Sequence, residues 1–166
     1  YTGPIYKIIS SHQKSDKKFG QVELLITSKH LVDRLDDFGI TPGKSLIVKF
    51  PRLVSKSKDE NIIRSFIRGV FEGDGSILLE NKSSLLFQIV GTRELLTEIQ
   101  NYLIKFVKIS KTVLTQNIKN RNHFALRYRG RYQAMIIFDW IYKNANFYLD
   151  RKYNGYLEIK KQLNQI

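Results

Sequence analysis

Glu72 and Asp74 are the residues whose types and placement point most directly to chemistry. They stand two apart at the close of a run, residues 62–74, in which apolar side chains recur at helical spacing. A carboxylate at the end of a helix meets the negative pole of the macrodipole and is disfavoured there by roughly 0.3–1 kcal/mol. Something cationic is expected to compensate, and a hard divalent metal is the natural candidate. A solvated acidic turn is the other reading of the same two acids. A calcium loop is excluded, because that pattern needs Glu eleven residues after its first ligand and Ser83 stands there.

The helix that must present these acids starts near Ser57, which can cap it while Glu60 reaches back. Its apolar residues fall on two faces. Ile62, Phe66, Gly69 and Gly73 form one stripe; Ile63, Ile67, Val70 and Phe71 form the other. Two apolar faces imply burial on two sides. One is expected to sit on the chain's own sheet and the other to meet a second helix. Each glycine costs about 1 kcal/mol against alanine in a helix interior. Gly69 and Gly73, on one face, are therefore expected to earn their place through close backbone approach. Arg64, Arg68, Glu72 and Asp74 interrupt the run too often for a membrane span.

Around this helix the 166 residues suffice for one domain or two small intertwined ones, and a 42% hydrophobic content is that of a globular chain. A net charge of +13 favours a polyanionic partner, nucleic acid before an anionic membrane surface. The absence of cysteine excludes a disulfide, a thiolate zinc site and a thiol nucleophile. No secretory or lipidation signal is visible, and an intracellular setting is expected.

Residues 5–10 and 21–27 read as a hairpin, and Ser28 as the cap of a short helix with Leu31, Val32, Leu35 and Phe38 on its buried side and Gly39 as its stop. Residues 41–45 read as a connector and 46–51 as an extended run into the main helix. Beyond the acids, 76–80 and 84–90 read as a hairpin. Thr92 caps a helix over 93–105, 111–118 and 123–128 form a second hairpin, and a third helix follows Gly130. The aromatics from Phe138 to Tyr148 are expected in the core rather than as a base-stacking platform. A polar helix over 153–165 closes the chain. The expected fold class is α+β: an αββαββα unit over 51–166, its antiparallel sheet backed by helices, preceded by a partial unit over 1–50.

Alternation leaves one sheet face free to meet a ligand. Its polar and basic candidates are Glu80, Lys82, Ser84, Gln88, Thr115, Asn117, Lys119, Arg121, Arg127 and Arg129. Arginine suits guanine edges and glutamine adenine edges, and a β-ribbon fits the major groove. Residue type alone leaves open which of these touch bases and which touch phosphates.

The run from Ile67 to Gly75, IRGVFEGDG, with Phe66 before it and Ser76-Ile77 after it, resembles the nine-residue signature of the LAGLIDADG homing endonucleases. The likeness extends over 5–158 to the second half, and the tail of the first half, of a bacterial-type two-motif member. It includes the connector GITPGKS and the tail YLDRK. The resemblance implies a LAGLIDADG fold in which two such helices pack through Ile62, Phe66, Gly69 and Gly73. It implies Asp74 as the catalytic metal ligand, with Gly73 beside it, and Glu72 in a structural part. Lys152 matches a basic residue near the reacting water and phosphate. Gly91 stands where family members often carry a polar residue such as glutamine.

The implied substrate is double-stranded DNA, the implied reaction phosphodiester hydrolysis at a long site, and the implied cofactor Mg²⁺ with Mn²⁺ or Ca²⁺ as substitutes. The first signature helix is absent from these residues, and the start at Tyr1 agrees with a fragment or processed chain. The partner is therefore expected to be a second copy or a separate motif-bearing first half. An RNA maturase assisting intron splicing and a non-catalytic DNA-binding relative are the alternative readings. The intron or intein context stays open.

Overall fold

The computed structural model describes residues 28–37, 39, 47–80, 84–118 and 122–164. The chain divides into two units, Tyr1–Asp37 and Phe38–Ile166. The hairpin expected over 5–27 and the connector over 41–45 lie outside the described residues, as do Phe38, Lys82, Lys119 and Arg121. In the first unit α1 (Lys29–Asp37) follows Ser28, whose Oγ accepts from the amide of Leu31 at 3.2 Å. Of its expected buried side, Leu31 and Val32 are exposed and Leu35 is half-buried.

In the second unit the extended run ends at Pro51, through which the chain enters a turn of helix that the sequence did not signal, α2 (Arg52–Lys56). Next comes α3 (Glu60–Asp74). Its cap is Asp59, not Ser57: Asp59 Oδ1 accepts from Asn61 N at 2.8 Å, while Ser57 Oγ serves the amide of Asp59. The order then runs β1 (Gly75–Glu80), β2 (Ser84–Gly91), α4 (Arg93–Val107), β3 (Thr115–Gln116), β4 (Phe124–Arg129), α5 (Arg131–Tyr142) and α6 (Asp150–Asn164). Thr92 caps α4 as expected, its Oγ1 accepting from Leu95 N at 3.2 Å. The helix runs past residue 105 to a left-handed C-cap at Lys108, φ 61°.

The four strands form one antiparallel sheet in the order β1-β2-β4-β3, with helices behind it. On the helix side, Leu85, Phe87 and Ile89 of β2 and Leu126 and Tyr128 of β4 are buried. They meet Ile63, Ile67 and Phe71 of α3, Leu96, Ile99 and Leu103 of α4, and Ala134, Ile137, Phe138 and Ile141 of α5 in one core. Phe71 stacks on Phe87 at 5.3 Å and meets Phe138 edge-on at 5.5 Å. Each such side chain contributes about 1.5–3 kcal/mol by burial. This aromatic trio fixes α3 over the centre of the sheet.

The expected arm over 111–118 narrows to Thr115–Gln116. Val113 and Ile118 are exposed, and Leu114 is the apolar side chain of that arm that packs against the core. The expected division at residue 50 falls inside the second unit, because Phe50 packs on Phe66 (4.7 Å) and Tyr102 (5.0 Å). Phe138, Trp140 and Tyr142 are core, whereas Phe147 is exposed. No described helix is long and apolar enough to cross a membrane.

Candidate functional site at the end of α3

Three polar contacts and the aromatic trio lock α3 against α5. Glu60 Oε1 accepts from Trp140 Nε1 at 2.8 Å, Arg68 Nη1 donates to the carbonyl of Ile141 at 3.1 Å, and Tyr142 Oη donates to Glu72 Oε1 at 2.8 Å. The rotation of the helix is thereby fixed, with Ile63, Ile67 and Phe71 inward. Ile62, Gly69 and Gly73 face out, Phe66 half-buried between. A Cβ built on either glycine would meet nothing within 4 Å. Among the described residues, nothing covers the expected second-helix face at these glycines. A trough of about 490 Å³ runs along one side of Gly69 to the exposed Phe147 and Leu149, and a cleft of about 500 Å³ lies on the other.

At its C-terminus the helix passes directly into β1. Gly75 is required there by packing: a Cβ would overlap the ring and carbonyl of Phe71. The cation expected beside the two acids is present, and it is Lys152. Its Nζ donates to the carbonyls of Phe71 (2.6 Å), Glu72 (2.8 Å) and Gly75 (2.7 Å) and lies 4.9 Å from the Phe71 ring centre. Three acceptors at these distances demand three N–H donors, hence the ammonium form. Desolvation pulls its pKa below the ordinary lysine value, opposed by the charges of Glu72 and Asp74.

The sequence reading placed Tyr153 at the start of the last helix. The helix begins three residues earlier, so that Lys152, Tyr156, Ile159 and Leu163 share its inner face. That spacing was the available signal, and a lysine on an apolar face obscured it. With all three protons on backbone carbonyls, Lys152 is a positioning residue for the end of α3.

Glu72 is structural, as expected. Its Oε1 takes the Tyr142 hydroxyl and its Oε2 takes the amide of Leu149 at 3.0 Å, tying α3 to α5 and to the approach of α6. Burial, reinforced by that hydrogen bond, drives the Tyr142 pKa far above the ordinary tyrosine value. Glu72→Gln, with one acceptor oxygen in place of two, should cost about 1–3 kcal/mol by orphaning one donor. Urea denaturation measures that loss, and any activity should survive in the folded fraction.

Asp74 differs. It is exposed, and no hydrogen bond to its carboxylate joins it to a described residue. It lines the cleft together with Gly69, Val70, Gly91, Lys49 and His123, the last two not singled out from sequence. Lys152 takes the carbonyls on either side of residues 73–74 and does not take that of Gly73. An outward carboxylate beside a backbone carbonyl suits a hard divalent cation, but it is part of a shell that needs about six oxygens. Among the described residues no group of three His, Cys, Asp or Glu could hold a metal. The donor set fits a metal shared with a partner, and does not fit one held by this unit alone.

The register places Ser84, Gln88, Thr115, Arg127 and Arg129 on the sheet face away from the helices. Asn117 lies just past β3, its amide donating to the carbonyl of His123 at 2.8 Å. Ser76, Gln88 and Arg127 form one row across β1, β2 and β4. They are linked: Arg127 Nε donates to Gln88 Oε1 at 2.5 Å, and Gln88 Nε2 to Ser76 Oγ at 3.4 Å. Ser76 was not among the expected contact residues. Only the register, which sequence does not supply, shows its place in the row.

A scan against protein-family models and searches of curated proteins and of solved structures find no match to this chain.

Proposed function

We propose that this chain is one half of a metal-dependent DNA endonuclease of the LAGLIDADG type, completed by a second copy or by a separate first half. The observation that carries the reading is the open α3 face. Gly69 and Gly73 lie bare along it, and it ends in an exposed carboxylate. Such a face leaves apolar surface in water and carries glycines that weaken the helix, unless another helix closes on it. Closure on a like helix would bring two Asp74-type carboxylates together at adjacent helix ends. The helix–two strands–helix–two strands–helix order, the basic free face of the sheet and the net charge of +13 agree with a polyanionic duplex as substrate.

In this reading Asp74 and the Gly73 carbonyl would hold Mg²⁺ together with the partner's acid. When bound, the metal supplies charge stabilisation to the phosphate undergoing hydrolysis. Lys152 keeps the strand-bound chain and the helix end in register, so that the Asp74 carboxylate stays outward. The sheet holds the duplex so that a phosphate meets that carboxylate.

The reading is tested by incubating the chain with a randomised duplex library and Mg²⁺, its mass in solution recorded alongside, with and without a motif-bearing first half. Specific breaks that require Mg²⁺ are expected, together with a dimer mass or a dependence on the added half. Absence of duplex binding at low salt would end it. Gly69→Leu gives a second check with opposite signs in two assays. The lone chain should gain about 0.5–1 kcal/mol in denaturation, because leucine is the better helix former and its Cβ meets open space. Pairing through α3 should weaken at least about tenfold, since close backbone approach requires the glycine.

A further inference from the structure

Gln88 looks from its residue type like a reader of adenine, but its amide is already committed. The guanidinium of Arg127 has only donors, so the group facing it must be the Gln88 oxygen. That leaves the Gln88 nitrogen turned toward Ser76. These two bonds use one lone pair of the Gln88 oxygen and one hydrogen of its nitrogen, and they hold the amide in one orientation beside Arg127. Arg127, in contrast, is held only through Nε. It is exposed, and among the described residues no hydrogen bond is formed by its Nη1 or Nη2. The terminal edge of the guanidinium is therefore uncommitted among the described residues, while the Nε bond restrains its plane.

Its place in the sheet matters as much. β2 and β4 are the two inner strands, so this arginine stands on the central ribbon and not at the rim. Central positions of a ribbon face the floor of a groove; rim positions meet the backbone. A braced fork can meet either a phosphate or a guanine edge bidentately, so the position on the inner strands, and not the bracing alone, favours the base. A bidentate base contact gains the orientation in advance.

We propose that Arg127 reads a guanine through N7 and O6 in the major groove, and that Gln88, braced by Ser76, is its positioning residue. The proposal rests on the duplex-DNA reading above. It is tested by selecting bound sequences from a randomised duplex library at fixed salt, using the full chain as wild type, Arg127→Ala and Gln88→Met. Arg127 and Gln88 both lie on the solvent face, and neither substitution removes a core side chain. The wild type should favour guanine at one position by roughly 5- to 150-fold. Arg127→Ala should flatten that position and leave the others intact. Gln88→Met should weaken the preference at the same position and create no change elsewhere.

An Arg127→Ala variant that loses affinity equally for all sequences, with a shallower salt dependence, would make Arg127 a phosphate contact and overturn the assignment. A Gln88→Met variant that relaxes an adenine at a different position would overturn it as well. Either result leaves the duplex reading standing. Failure of the wild type to bind any duplex removes the assignment and that reading together.

Discussion

Asp74→Asn should lower Mg²⁺-dependent cleavage by at least about a thousandfold, the scale of several kcal/mol of charge stabilisation at a reacting phosphate. The same change should leave the denaturation midpoint nearly untouched, within about 0.5 kcal/mol. The contrast follows from the surroundings of the carboxylate. It is exposed, accepts no hydrogen bond from a described residue, and projects from the last turn of α3 into a cleft. Two electrostatic effects of opposite sign act on it, the unfavourable helix pole and the favourable charge of Lys152. Asparagine keeps the size and removes both. Duplex binding should persist, since the free sheet face is unaltered. Cleavage that survived Asp74→Asn would place the chemistry elsewhere and remove the main support for the endonuclease reading.

Why Asp74 could be picked from sequence, while its neighbours' roles could not, is a matter of range. The end of α3, the β1–β2 hairpin, the Thr92 cap and most of α5 were legible, because each depends on residues a few positions apart. Where a local sign was ambiguous, the reading slipped. The sequence reading took Ser57 for the cap because a Ser-to-Glu capping pattern is local; a capping aspartate two residues on, and a tryptophan 80 residues away that claims Glu60, are not. Lys108 ends α4 in a left-handed conformation that sequence reasoning assigns to glycine. β3 is shorter than expected, and Val113, apolar by type, is exposed just before it.

The site shows the same division. Two acids at a helix end implied a compensating cation, and that inference was sound, but its identity was not local. The cation is Lys152, which reaches the carbonyl of Phe71 from 81 residues away. Its presence means that the helix end is balanced without a metal, so the case for a metal rests on the outward carboxylate and the open face. The link from Gln88 to Ser76 and Arg127 was hidden for a related reason. Residue type lists what a side chain can bind, while register decides what it is already bound to.

Lys152→Met should cost about 3 kcal/mol or more in the free energy of unfolding. Methionine preserves the apolar stem and its contact with the Phe71 ring, but it takes the Nζ donor from the carbonyls of Glu72 and Gly75 and leaves that of Phe71 with the Gly75 amide alone. Lys152 is 3% exposed, so water has poor access to those carbonyls. Each buried polar group left unpaired costs about 1–3 kcal/mol, reduced where local opening admits water. Lys152→Arg should not restore the loss, because a planar fork cannot aim three N–H groups at acceptors clustered around one nitrogen. The charge itself is held against burial, which is why the lysine pKa lies below its ordinary value. Between the folded value and the unfolded value of about 10.4 the native state binds fewer protons than the unfolded state. Stability contributed by this residue therefore rises with pH through that window. Urea denaturation of wild type and Lys152→Met at several pH values isolates the effect, since the ionisations of Tyr142 and Tyr156 occur in both proteins. The difference between them should widen as the pH approaches the unfolded lysine value. A loss of stability below about 1 kcal/mol, accompanied by loss of cleavage in fully folded protein, would put the ammonium at the substrate and not on the helix end.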